Sequence, residues 1–288
     1  MSSPTTTANS GQVEYWNTSV GQIWAEHQAL LDRKIKPLGE IAMKALRLQR
    51  GTRGLDIGCG CGQTTLDLSE WTGPTGLVTG VDISRPMLEI ARNRPRPSVA
   101  GAVKFVEADA QTADLTFGGE PYDFVFSRFG VMFFENPDAA FANIRKALKP
   151  KARLSFVCWR SPEENPWMTE PAKVVAHLVP PPAQPQAQDP LAPGPFAFAE
   201  ASRITGILSR AKFINIDVRP LNMQIGAGGL DDQLILSLQI GPLGAIARAH
   251  PELVAEMKGP VRDYIRPFVI DGKVKMPAAC WVATANAT

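Results

Sequence analysis

Cysteine, histidine and tyrosine are scarce in this chain, with four, three and three residues among 288. Cys59 and Cys61 are next-but-one neighbours, while Cys158 and Cys280 lie in separate apolar runs, so there is neither a C-x-x-C pair nor a disulfide framework. The four read as small buried hydrophobes. Long apolar runs are missing too: none approaches the roughly 20 residues that span a bilayer. The Ser/Thr-rich start lacks the charged and apolar regions of a signal peptide, and a cytoplasmic location is expected. Charge of one sign is not in excess, since 30 basic against 28 acidic residues leave +2 without a long run. That excludes the electrostatic footprint of a nucleic-acid binder and suits a small, neutral or weakly charged partner. No metal site is expected. With three histidines, acid–base chemistry also has few candidates.

What is present is regular alternation. Residues 12–48 carry helical spacing through Trp16, Val20, Ile23, Trp24 and His27, then Leu30, Leu31, Ile35 and Leu38. Pro37 is expected to divide this stretch into two helices. Residues 1–10 read as a frayed end. From residue 52 short apolar runs alternate with amphipathic stretches, which predicts a parallel sheet with crossover helices. Strands are expected over 77–81, 103–107, 122–127 and 153–159, with helices over 84–94, capped by Ser84, and over 137–148. After Trp159 the regularity breaks. A helical piece over 167–178 precedes seven prolines between Pro180 and Pro195, which read as a solvated linker or as a stiff segment laid over a pocket, the second favoured by the aromatic Pro195-Phe196-Ala197-Phe198 ending. Residues 230–246 are apolar nearly all round and should be buried, at a dimer contact or facing substrate.

The informative stretch is Leu55-Asp56-Ile57-Gly58-Cys59-Gly60-Cys61-Gly62-Gln63. An apolar run stops in three alternate glycines against a helix start, so a ligand can approach the backbone and the first free helical N–H groups. Dinucleotide-binding turns use a similar device but carry G-x-G-x-x-G. Here Gln63 stands where the third glycine belongs, and Asp56 would repel a pyrophosphate while suiting an ammonium or sulfonium.

This stretch, then Gly80-Val81-Asp82-Ile83-Ser84 with Met87-Leu88-Glu89-Ile90-Ala91-Arg92, then Glu107-Ala108-Asp109-Ala110, resemble three successive motifs of the class I S-adenosylmethionine-dependent methyltransferases. Within that superfamily the chain resembles the branch containing the ubiquinone and menaquinone biosynthesis methyltransferases. Phe124-Val125-Phe126-Ser127-Arg128-Phe129-Gly130 and Leu148-Lys149-Pro150 extend the likeness, which covers about residues 50–160. One departure is visible: Lys151 and Ala152 stand where relatives have two glycines.

The resemblance implies an α/β, Rossmann-like, doubly wound and mostly parallel seven-stranded sheet with an antiparallel last strand. Its expected parts are an N-terminal helical cover over residues 1–48, a cofactor-binding core over 49–160, a Pro-rich insertion over 161–200 between strands five and six, and the rest of the same domain over 201–288. It implies S-adenosyl-L-methionine as cofactor, with S-adenosyl-L-homocysteine as product. Asp82 would accept from the ribose hydroxyls. Asp109 and Ala110 would hold the adenine edge, between Ile83 and Met87. Gly58, Gly60, Gly62, Asp56 and the Ser127 carbonyl would hold the methionine end.

Methyl transfer needs mainly a nucleophile held about 3 to 3.5 Å from the methyl carbon. By position, Trp16, Phe129, Phe133, Trp159, Trp167 and Phe196 are candidates for the substrate wall. His27 is the first candidate base and His177 the second, and Arg128 or Arg160 could orient an acidic group. The expected activity is methylation of a small, largely apolar organic molecule, with a homodimer as one arrangement. A nicotinamide-dependent oxidoreductase and a non-catalytic, methyltransferase-like binding protein remain open alternatives.

Overall fold

The central short apolar runs pair side by side because they are buried on both faces, as parallel strands covered by crossover helices are. A computed structural model describes residues 8–96, 98–180 and 189–288. In chain order the elements are α1 (Ser10–Asn17), α2 (Ser19–Glu26), α3 (Gln28–Ala45), β1 (Arg53–Ile57), α4 (Gln63–Thr72), β2 (Leu77–Asp82), α5 (Arg85–Asn93), β3 (Ala102–Glu107) and β4 (Tyr122–Arg128). They continue as α6 (Pro137–Lys146), β5 (Leu148–Trp159), α7 (Pro166–Val174), α8 (Ala201–Arg210), β6 (Phe213–Ile225), α9 (Leu230–Gln239), α10 (Gly241–Ala249), α11 (Val254–Ile265), β7 (Val269–Ile270), β8 (Lys273–Val274) and β9 (Met276–Ala287). Seven strands form one sheet in the order β3-β2-β1-β4-β5-β9-β6, and β7 and β8 form a separate hairpin. Strand β9 runs antiparallel to both β5 and β6, so the sheet is mostly parallel with an antiparallel last strand, as expected. Among the described residues no helix is long and apolar enough to cross a membrane.

The N-terminal cover departs from expectation at Pro37. The breaks fall at Thr18 and His27, and Pro37 lies inside α3. An interior proline costs about 3 kcal/mol of helix propensity. The buried stripe of Leu31, Lys34, Ile35, Leu38, Ala42 and Met43 runs straight across it, so packing against the sheet overrides the local cost. Of the end expected to fray, residues 1–7 lie outside the described residues, and Asn9 is held. Asn9 is buried, its N–H donates to Glu135 Oε2 at 2.6 Å and its Nδ2 to Asp109 Oδ1 at 3.2 Å.

Ser84 occupies the position before α5, but its hydroxyl donates to the Trp16 carbonyl (2.8 Å) instead of capping the helix. The first free N–H groups of α5 are taken by Asp82 Oδ1 (Ser84 N, 2.8 Å) and Asn17 Oδ1 (Arg85 N, 2.9 Å). Lys151, at the departure from the familial glycines, adopts φ 65°, the left-handed region in which glycine would carry no Cβ strain.

Residues 201–288 do not all return to the sheet. Strands β6 and β9 do, but α9, α10 and α11 bury Leu234, Leu238, Leu243, Ala247, Met257, Val261 and Ile265 in a core of their own with Val175. The all-round apolar stretch 230–246 is therefore two helices, broken at Ile240, whose Leu234, Leu236, Leu238 and Leu243 are buried within the chain while Ile235 is exposed. The cover over the sheet has three parts: the N-terminal helices, α7, and this second helical unit inserted between β6 and β9. The proline run at 181–188 lies outside the described residues, while Pro195 and the end of the insertion lie against the site.

Asn165 joins α7 to the sheet. It is fully buried; its Nδ2 donates to the carbonyls of Ala279 (2.9 Å) and Ser161 (3.1 Å), and its Oδ1 accepts from Ala279 N (3.0 Å) and Trp167 Nε1 (3.2 Å). Replacing Asn165 by Ala strands those backbone groups and frees Trp167. The expected outcome is a loss of about 2 to 4 kcal/mol of stability, read from urea unfolding.

Candidate functional site

Strands β2 and β3 lie on one side of β1, and β4 and β5 on the other, so the chain reverses direction beside the carboxyl end of β1. Ligands of open α/β sheets bind in the crevice at such a point. The glycine turn sits there. Gly58 N and Cys59 N both donate to the Val81 carbonyl (2.9 and 3.1 Å), and Gly62 N donates to the Cys59 carbonyl (2.9 Å), folding the turn against the end of β2.

The three glycines have different reasons. A Cβ on Gly58 would stand 2.7 Å from Gly130 Cα, and one on Gly62 would stand 2.7 Å from Phe105 Cζ and 2.8 Å from Ala91 Cβ. Those two positions are closed by the protein's own packing. At Gly60 a Cβ would meet only Met87 Sδ, at 3.6 Å, so this is the glycine whose missing side chain leaves open space. Gly58 and Gly60 border the cavity, whereas Gly62 starts α4 behind it.

That cavity has a volume of about 280 Å³. Asp82, 8 % exposed, borders it; its Oδ2 accepts from Gly60 N (2.7 Å) and its Oδ1 from Ser84 N. Each oxygen keeps a lone pair for a further donor. Asp109 and Ala110 border it as well, Asp109 Oδ1 accepting from Gln111 N at 2.9 Å. Ile83 and Met87 complete this end, with Trp16 resting on Met87 and on Phe133 (ring centroids 5.1 Å). Trp16 thus covers the Asp82 end.

Asp56 stands behind the turn, fully buried and outside the cavity wall. Its Oδ2 accepts from Thr64 and Thr65 Oγ1, each at 2.6 Å, while its Oδ1 has no protein partner among the described residues. Burial pushes its carboxyl up to about 6, against the hydroxyl bonds and Arg128, which pull it down. Ser127 is likewise behind the wall: its hydroxyl donates to the Ile57 carbonyl (2.7 Å) and accepts from Gly130 N (3.2 Å), clamping the ends of β1 and β4 together. Cys59 and Cys61 border the cavity as thiols; burial pushes Cys61 up to about 12.

The opposite wall is aromatic. Phe129, at φ 61°, stacks on Trp159 with centroids 4.0 Å apart and planes 10° apart, and Trp159 meets Trp167 edge-on at 5.3 Å. A bulky residue held at positive φ stores strain that persists only where its surroundings over-determine it. Phe133 lines the wall too. Phe196 does not; it packs on the sheet core, and its neighbour Pro195 takes the place expected for it.

The two residues expected to act on the substrate are placed differently. His27 sits half-buried at the junction of α2 and α3, outside the cavity wall, because the helix break there turns it away. Arg128 reaches the wall but is engaged: it donates to Asp32 Oδ1 (3.2 Å) and to Gln63, and Asp32 also holds Arg94. It ties β4 to α3 and α4. Arg160 pairs with Glu164 outside the cavity, and His177 is exposed. Sequence reasoning missed Asp32, Lys34 and Gln233. Lys34 is 5 % exposed, with Nζ 3.8 Å over the Trp167 ring, and burial lowers it to about 7. Its position on the buried stripe of α3 was the available signal.

Residues 55–151 match the family described as a methyltransferase domain. Demethylmenaquinone methyltransferase of Staphylococcus aureus is 36% identical over 108 residues, which are 38% of this chain and 43% of that protein, so the chain matches less than half the length of its curated relatives. Among solved structures, phosphoethanolamine N-methyltransferase 2 of Haemonchus contortus, in complex with S-adenosyl-L-methionine, aligns with a TM-score of 0.55 at 17% identity over 96% of this chain and 60% of that one. The YcgJ protein of Bacillus subtilis aligns with a TM-score of 0.55 at 15% identity over 90% and 98%. These two share the fold. With the three motifs in order at the ends of β1, β2 and β3, residues 55–151 form a methyltransferase domain, similar in sequence to that of a demethylmenaquinone methyltransferase.

Proposed function

We propose that this chain binds S-adenosyl-L-methionine and transfers its methyl group to a small, largely apolar organic acceptor, releasing S-adenosyl-L-homocysteine. The observation that carries this reading is a single cavity bordered by the open Gly60, by the carboxylates of Asp82 and Asp109, and by the Phe129–Trp159–Trp167 wall. The residues fit the cofactor. Asp82 has lone pairs free for two ribose hydroxyls, Ile83 and Met87 offer apolar faces to the adenine, and Asp109 with Ala110 lies at its edge. The orphaned Oδ1 of Asp56 supplies negative potential behind the turn, where an ammonium group would lie. When bound, the cofactor supplies an activated methyl on a sulfonium; the chain's part is to hold the acceptor in line and keep water out. The aromatic wall and balanced charge favour a small molecule over nucleic acid, and four free cysteines are in keeping with the cytoplasm.

A thermal-shift comparison tests the reading. S-adenosylhomocysteine at about 100 times its dissociation constant should add about 2.7 kcal/mol, and stabilisation by NAD instead would support an oxidoreductase. Turnover of any acceptor in a panel of phenols, quinols, amines and thiols separates an enzyme from a binding protein.

The site residues should then divide by role. Asp82→Ala is expected to abolish S-adenosylhomocysteine binding in calorimetry while costing about 1 to 3 kcal/mol of stability through the lost Gly60 and Ser84 bonds; unchanged affinity would leave Asp82 as a helix cap only. Gly60→Ala should lose binding with the fold retained, whereas Gly62→Ala should be destabilised by its contacts with Phe105 and Ala91.

Asp56 provides a pH test. Its folded-state pKa is raised from 3.8 to about 6, so the folded protein keeps a proton that the unfolded chain gives up across that window. Stability from this group is fully present below 3.8 and is lost as pH rises to about 6. Asp56→Asn should remove that pH-dependent loss, measured as urea midpoints across the window, and should also weaken S-adenosylhomocysteine if the carboxylate serves the ammonium.

A further inference from the structure

The cavity is bordered by one cationic side chain that neither the cofactor reading uses nor a carboxylate holds. Lys34 projects from the buried stripe of α3, and among the described residues it has no hydrogen bond and no ion pair. Its contact is the face of Trp167, 3.8 Å from Nζ. The other charged groups bordering the cavity are Asp32, Asp82, Asp109 and Arg128. Asp32 is held by Arg128 and Arg94, Asp82 by the amides of Gly60 and Ser84, and Asp109 by Gln111 N and Asn9. A second uncommitted polar atom lies on α9, which packs across from α3: the amide oxygen of Gln233 is buried without a partner, while its Nε2 donates to Ser237 Oγ at 3.2 Å.

These groups are connected to the glycine turn by a continuous wall. Gly58 touches Gly130; Phe129 precedes it and stacks on Trp159; Trp159 meets Trp167; Lys34 lies on Trp167. The wall is a set of ring planes, which suits a flat aromatic acceptor by stacking. An amine among those planes, with no carboxylate to hold its charge, suits an acceptor that enters uncharged and carries an acidic hydrogen. A permanent anion or a cationic amine would instead bring a net charge into an apolar site.

We propose that Lys34 is the acceptor-side base of this protein and that the acceptor is a phenol or enol. The hydroxyl proton passes to the Lys34 amine, leaving an oxyanion paired with the resulting ammonium. The oxygen's electron pair then forms the bond to the methyl carbon, the carbon–sulfur bonding pair stays on sulfur, and the proton leaves Lys34 for water after product release. Gln233 accepts from a second donor on the ring. Burial, which lowers Lys34 to about 7, leaves much of it as free amine near neutrality, and the Trp167 face stabilises the ammonium once formed. This assignment rests on the methyltransferase reading above.

The test uses the full chain with S-adenosylhomocysteine and para-nitrophenol, whose ionised form absorbs in the visible, at a pH where free para-nitrophenol is mostly protonated. Wild type should bind it with growth of the phenolate band. Lys34→Met, which keeps the apolar bulk, should show no such band and bind at least about tenfold more weakly. Para-nitroanisole, with no acidic hydrogen, should bind wild type and Lys34→Met alike. The same phenolate band in Lys34→Met, or no para-nitrophenol binding by wild type, overturns the assignment. Thermal shift with S-adenosylhomocysteine alone separates the two levels: loss of that shift in wild type sinks the methyltransferase reading, whereas its retention with a failed phenol arm sinks only the role of Lys34.

Discussion

The site depends on how closely two loops approach. At the carboxyl ends of β1 and β4, Gly58 and Gly130 lie so near that a Cβ on either would stand 2.7 Å from the other loop's backbone. Ser127 pins this approach from below through the Ile57 carbonyl and Gly130 N. Because the loops close there, the turn is forced outward toward β2, where Gly60 N finds Asp82. The same closure places Phe129 in the left-handed region, aiming its ring at Trp159. One backbone contact thus sets both the polar end and the aromatic wall.

Much of the sheet was legible because it depends on local pattern. Buried parallel strands are short apolar runs, and the helices between them carry their own periodicity, so β1 to β5 fall where the alternation places them within a few residues. Asp82, Asp109 and the glycines were legible for a related reason: they occupy strand ends, and strand ends are visible in the sequence. Pro37 shows where local rules give way. Its penalty is smaller than the burial of Leu38, Ala42 and Met43 beyond it, a tertiary gain that no window of sequence contains.

The cover was only partly legible. Helices α9 to α11 have apolar faces, which their sequences reveal, but a face does not say what it meets. They meet one another and α7, forming a second core that gathers Val175 with residues as far along the chain as Val261 and Ile265. Lys34 was invisible for the converse reason. A lysine among apolar residues reads as a solvated position on a helix, and its burial follows only when α3, α7 and α9 converge over it. His27 read as a candidate base because histidines are few, yet rarity carries no information about direction.

Four of the costs in this molecule lie around one space. A carboxylate raised by burial at Asp56, an amine lowered by burial at Lys34, an unpartnered amide oxygen at Gln233 and a strained Phe129 all lie at the cavity or directly behind it. Each is unfavourable in the protein alone, by an amount that a bound partner would offset. In the sheet, by contrast, buried Ser155 is satisfied by the Ala42 carbonyl. Departures of this kind are expected where something else is to be held. The departures also differ in sign. Behind the glycine turn the unsatisfied group is a carboxylate oxygen, suited to a cation; at the far end of the aromatic wall it is an amine, suited to an acidic hydrogen. A site built for two reactants of opposite electrostatic character, meeting along one wall, accounts for both.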